Sequence, residues 1–283
     1  GTKALVYRTT GNNISLSYRD LLSDKDLWKQ EFPVGTRGVL LENSELAIFQ
    51  QNGKFKILDI VSGQEKINAQ CEAEPQLLEI QVIASQDRYL LVTNRSANTS
   101  GVTIPSMGVQ SKMITGNIYS FDRKTGKTVW STPGTVSRWA LPLNQPIDSP
   151  VLVFVRELHQ KSAVRTNRSA VNSEFFCLDK RDGRLLMAPK KVSGYIRSFA
   201  VVAEPTEQQV TVMVNGKMHI FEFTDERLPP AAPVQMSQFN AVERGTNPSA
   251  VGGPFGARPA IRGAGQRIQL PAAPKRPLPV PDP

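Results

Sequence analysis

Residues 118–130 read Ile-Tyr-Ser-Phe-Asp-Arg-Lys-Thr-Gly-Lys-Thr-Val-Trp. An apolar run ends in Asp122, the dipeptide Thr125-Gly126 makes a turn, and Trp130 falls eight positions after the aspartate. Gly accepts the positive φ that tight hairpin turns need. An Asp just before such a turn bonds its side chain to backbone N–H groups two or three residues on. The apolar residues on either side are strand signals. The large residue after the turn is placed to pack between neighbouring sheets.

The pattern recurs along the chain. Residues 176–187 carry Asp179, Gly183 and Met187 at the same offsets, and residues 57–67 carry Asp59, Gly63 and Ile67. A worn copy opens the chain, with Asp20 and Trp28 eight apart and no glycine between them. A fifth copy shows by alignment: Asn-Gly-Lys-Phe-Lys-Ile-Leu-Asp at 52–59 matches Asn-Gly-Lys-Met-His-Ile-Phe-Glu at 215–222, so Glu222 takes the Asp position. The intervals from Asp20 to Glu222 are 39, 63, 57 and 43 residues. The short ones fit a four-stranded repeat of about 40–45 residues. Strand-like runs at 77–84, 89–93, 138–143, 151–155, 196–203 and 210–214 fall where such a unit needs them. The fold expected is all-β: a β-propeller arc of about five four-stranded blades over residues 1–225. The chain enters the repeat mid-blade, and its last blade shows no fourth strand after Phe223.

The Leu/Phe-Asp-x-x-Thr/Ser-Gly-x-x-x-Trp pattern at 121–130, 178–187 and 58–67 resembles the blade motif of quinoprotein alcohol dehydrogenase-like propellers, the pyrroloquinoline-quinone repeat. The resemblance covers about residues 3–225 and implies the C-terminal part of a seven- or eight-bladed ring. It implies tryptophans that dock one blade on the next, and a bacterial, extracytoplasmic setting. Many members of that superfamily are not enzymes. Its dehydrogenases use an adjacent Cys-Cys disulfide and a calcium-ligating acid and amide set; here Cys71 and Cys177 stand far apart and no such set stands out. WD40 repeats should show Gly-His and Trp-Asp dipeptides, and neither occurs.

Two long insertions, at 94–115 and 156–173, separate the second and third strands of adjacent blades. The phasing puts both on one face. They carry Arg95 and Lys112 in the first, and Arg156, Lys161, Arg165 and Arg168 in the second. Loops carry function more often than strands, so these cations are the candidate binding positions, for an acidic partner or a glycan. The repeat residues themselves (Asp20, Trp28, Asp59, Gly63, Asp122, Gly126, Trp130, Asp179, Gly183 and Glu222) read as scaffold.

The formal net charge is +9, of which residues 226–283 hold +4 and residues 1–225 hold +5. That mild excess favours acidic partners through long-range attraction. It is not the dense basic stripe that argues for nucleic acid. No apolar run is long enough for a transmembrane helix. Cys71 and Cys177 read as small buried hydrophobes, with a single disulfide left open. Two histidines, His159 in a loop and His219 in a strand, make no catalytic or metal cluster. The segment 226–283 holds twelve of the 21 prolines and reads as a disordered or polyproline-II tail. The function expected is a non-catalytic repeat module for protein–protein interaction or scaffolding, with no cofactor. Two alternatives stand beside it: a fragment of a pyrroloquinoline-quinone-dependent dehydrogenase, or a recognition domain of a larger signalling protein.

Overall fold

The computed structural model describes residues 2–95, 102–104, 109–160 and 170–223. The tail at 226–283 and the cations Lys161, Arg165 and Arg168 lie outside the described residues. Within them the chain is a succession of antiparallel sheets, with one short 3-10 turn at Pro205–Glu207.

The first blade holds β1 (Lys3–Thr10), β2 (Asn13–Asp20) and β3 (Lys25–Pro33). The second holds β4 (Arg37–Leu41), β5 (Glu45–Phe49), β6 (Lys54–Asp59) and β7 (Glu65–Gln70). The third is built from β8 (Leu77–Ala84), β9 (Arg88–Arg95), then, past the short β10 (Val102–Thr103), β11 (Ser111–Asp122) and β12 (Gly134–Pro142). The fourth follows as β13 (Val151–Gln160), β14 (Ala170–Asp179) and β15 (Leu185–Ser193). The fifth is β16 (Phe199–Glu204), β17 (Gln209–Val214) and β18 (Lys217–Glu222). The architecture is that of a β-propeller arc, but the blades are not five equal four-stranded sheets. Only the second and third hold four strands in simple order. The first blade's aspartate ends its second strand, and among the described residues no strand precedes β1. In the fifth, Glu222 ends the third strand, and no fourth follows among the described residues.

One strand does double duty. β12 pairs with β11 and closes the third blade. At Arg138 the backbone turns left-handed (φ 58°) and the pairing register shifts. Beyond it Ala140 pairs with Met113 on one side and with Val155 of β13 on the other. The third and fourth blades thereby share a continuous sheet.

Cores lie between blades, not within them. Because a strand's side chains alternate, a blade buried on both faces needs an unbroken apolar run. Leu46 and Ile48 face the first blade's Ile14, Leu16 and Phe32, while Ala47 and Phe49 join the core toward the third blade. Leu152 and Phe154 pack with Trp130, Trp139 and Phe176; Val151, Val153 and Val155 pack with Val210, Val212 and Val214 of the fifth blade.

The repeat positions make the junctions. Asp59 Oδ1 accepts from Ser62 N (2.8 Å) and Asp122 Oδ1 from Thr125 N (2.7 Å), with the Ser and Thr hydroxyls adding a second bond each. Those bonds hold both carboxyls below their usual pKa. Asp179 Oδ1 accepts from Arg181 N, and Asp20 Oδ1 from Leu22 N. In the first copy the absent glycine is replaced by Asp24, at φ 55°. Trp28 Nε1 donates to Ile60 O of the next blade (2.8 Å), and Trp130 Nε1 donates to Lys180 O of the next blade (3.1 Å). A Cβ built on Gly63 falls 2.6 Å from Trp28 Cγ, so the indole lies directly on that glycine. Ile67, in the tryptophan position of the second blade, sits against Gly126 of the third in the same way. The turn that would follow Glu222 lies outside the described residues.

Candidate binding face

The connections from β9 to β11 and from β13 to β14 meet. β10, which belongs to the first, pairs with β13 through Val102↔Leu158 and Thr103↔Glu157. Where they are described, both insertions are largely strand: β11 starts at Ser111, β13 runs to Gln160, and β14 runs from Ala170. His159 accordingly sits in β13, not in a loop.

That extension changes the standing of the predicted cations. Arg156 is no mobile loop charge. Its side chain is 3% exposed, bonds Glu174 through Nε (2.9 Å) and Nη2 (2.6 Å), and stacks 4.1 Å over the Trp139 ring. A guanidinium so placed is structural: it neutralises a buried carboxylate at the sheet shared by two blades. Arg95 reaches Glu74 (3.5 Å), and Lys112 reaches Glu79 (2.9 Å). Glu74 is buried and also accepts from Thr93 Oγ1 and Asn117 Nδ2, both at 3.1 Å. Arg95 and Lys112 are half-exposed, and each already faces an acid.

Cations without such partners lie beside this hairpin, between the fourth and fifth blades. Lys190 of β15, Arg197 before β16 and Lys217 of β18 are all exposed. Among the described residues no carboxylate lies within ion-pair distance of any of them. They form one neighbourhood. Lys190 pairs in register with Phe175, whose ring lies 5.1 Å from His219. Partial burial, then the charges of Lys190 and Lys217, push the His219 imidazole below its usual pKa. Asn215, left-handed at φ 50° with Gly216 after it, makes the turn into Lys217. Its side chain accepts from Arg197 N (2.7 Å) and donates to Tyr195 O (2.8 Å). An open cleft of about 430 Å³ runs along Ser193, Gly194, Tyr195, Arg197, Ser198 and Asn215. Sequence reading missed this group because its members come from three separate elements and none lies in a long insertion. The Asn215-Gly216-Lys217 turn, recognised as part of the repeat, was the one available signal.

Both cysteines are free. Cys71 is half-buried, and burial pushes its thiol up to about 12. Cys177 is fully buried, and burial pushes its thiol up as well. Neither offers a reactive thiolate. No helix among the described residues is long and apolar enough to cross a membrane.

No protein-family model matches the chain, and no curated protein matches it. Among solved structures it is similar to hydrazine synthase of Kuenenia stuttgartiensis, at TM-score 0.37 and 14% identity over 76% of this chain and 53% of that one. It is similar to the WD40 domain of Toxoplasma gondii coronin, at TM-score 0.34 and 11% identity over 76% and 54%. It is also similar to BamB from Moraxella catarrhalis, at TM-score 0.24 and 12% identity over 81% and 69%. The chain spans about half the length of the first two. These likenesses name no family for it and assign it no activity.

Proposed function

We propose that this chain is a non-catalytic propeller module that docks an acidic protein segment between its fourth and fifth blades. The observation that carries this reading is the trio Lys190, Arg197 and Lys217: Arg197 lines the cleft, Lys190 and Lys217 bear on His219 beside it, and no described carboxylate lies within ion-pair distance of any of them. Exposed cations held apart from acids keep their field available to a partner, and such a field raises association rates and sets salt dependence. Burial and the neighbouring charges disfavour the protonated form of His219, which adds a ring face next to the cations. The Phe121–Trp130 motif supports placing the blades among pyrroloquinoline-quinone-type repeats used as scaffold, and an extracytoplasmic setting follows only from that likeness.

The test is fluorescence anisotropy with a labelled Asp/Glu-rich peptide and the charge-reversal triple K190E/R197E/K217E. The expected result is saturable binding by the wild type that weakens steeply with salt and is lost in the triple variant. Equal binding by both proteins, or no binding by the wild type, overturns the reading. Binding of a sulfated glycan but not of the peptide reassigns the partner class.

A further inference from the structure

A second concavity lies on the side where the Asp-containing turns cluster. The β4–β5 turn, the end of β8, the β12–β13 connection and the turn after β14 enclose a cleft of about 420 Å³. That size falls within the range of about 300–1,000 Å³ usual for small-molecule sites. Leu40, Leu143 and Ile147 stand on its rim and are 64%, 44% and 45% exposed, with Ile83 behind them. Large apolar side chains from three separate segments converging on one hollow are not a scattered surface.

Lys180 lies at the base. The residue is 5% exposed, and its backbone is fixed: its N donates to Pro150 O (2.7 Å), while its carbonyl accepts Trp130 Nε1 and Arg88 Nη1, both at 3.1 Å. Its ammonium donates to Ile147 O (3.1 Å) and Pro146 O (3.3 Å). No carboxylate among the described residues lies within ion-pair distance of it, and its third proton has no acceptor there. A buried ammonium held only by carbonyl dipoles is costly; such a group answers with a lowered pKa, and pairing with an anion relieves it. Burial pushes its pKa down to about 8, Asp148 acting against the shift and Arg88 with it. Of the other charged groups near the cleft, the cations are paired and the two lining acids, Glu42 and Asp148, stand in solvent, which screens them. Arg123 is bonded to Glu45 and Ser85 O, Arg88 is paired with Asp87, and Glu42 and Asp148 are exposed.

We propose that this cleft binds a small carboxylate with an apolar body, of the medium-chain fatty-acid class. The carboxylate meets the Lys180 ammonium, and the hydrocarbon lies along Leu40, Ile83, Leu143 and Ile147. The site is independent of the cationic group between the fourth and fifth blades, so either reading can fail alone.

Sodium octanoate is the probe, followed by methyl NMR and calorimetry, with octylamine as the control of opposite charge. Octanoate should bind one to one and shift the methyls of Ile83, Leu143 and Ile147, and octylamine should not. Lys180→Met keeps the length and removes the charge, and should weaken octanoate about tenfold or more. On the wild type alone, affinity should fall as the pH rises from about 7 to about 10 and Lys180 loses its proton. That profile decides the matter even if the variant folds poorly. Octanoate that moves none of these methyls, binds K180M equally, or shows a flat pH profile overturns the proposal, and so does equal binding of octylamine.

Discussion

The first and third junctions are built from the same motif and are not equally secure. At the first, Trp28 reaches across to Ile60 O and covers Gly63, and the buried core behind it is six residues. Trp28 itself is only half-buried. At the third, Trp130 reaches Lys180 O but is 2% exposed, belongs to a core of twelve, and stands beside the strand β12 that both blades share. A repeated residue thus carries a different fraction of each interface. Where a shared strand and a large core back it, its loss opens a cavity; where they do not, its loss opens the junction.

The largest effect should come from Trp130→Ala. A buried Trp cut to Ala costs about 3–5 kcal/mol, and denaturant unfolding should show it as a loss of global stability. Trp28→Ala should cost less, about 2 kcal/mol for a half-buried ring, but hydrogen exchange should rise in β1–β3 while β8–β15 stay protected. Similar protection loss in both variants would erase the distinction between the junctions. Arg156→Ala should cost about 3 kcal/mol, because it strands Glu174 as an unpaired buried charge; its thermal shift measures how much the shared sheet depends on that pair.

The glycines sharpen the contrast on a smaller scale. Gly63 and Gly126 both have positive φ, 72° and 69°. A Cβ on Gly126 meets Ile67 Cγ1 at a tolerable 3.6 Å, whereas one on Gly63 overlaps the Trp28 ring. Gly126→Ala should cost about 1 kcal/mol in backbone strain alone. Gly63→Ala should cost more and mimic the exchange pattern of Trp28→Ala. The smallest effect is on acid stability. The folded-state pKa values of Asp59 and Asp122 lie below their unfolded values, so their contribution is present above about pH 4 and fades as pH falls through the folded pKa. In the D59N/D122N double variant, Asn still accepts the turn bonds but does not titrate. The stability gap from wild type should therefore narrow between about pH 5 and pH 2.

Much of this scaffold was legible in the residues. Asp122, Gly126 and Trp130 state a local rule about turn chemistry, and local rules survive folding. The unbroken run Val151–Val155 announced a strand, and the structure buries it on both sides. The double role of β12 did not show, because it depends on a left-handed Arg138 and on one pairing, Ala140 with Val155, whose partners come from different repeats. Charge was the least legible. Arg156 and Lys190 look alike in a count of cations; one is locked to Glu174 and the other faces solvent, and only the third dimension separates them. Lys180 follows an aspartate in a turn, a position that reads as exposed, yet the neighbouring blade's tryptophan covers it.

Among the described residues both tryptophan-to-turn contacts run one way, from the end of one blade to the turn of the following one. Such an array has a polarity, like a chain of plugs and sockets. A segment cut from one turn glycine to the equivalent position in the next repeat would carry one of each. Duplicating or deleting a whole repeat length leaves no unmatched indole at the splice, so blade number can change without rebuilding a junction.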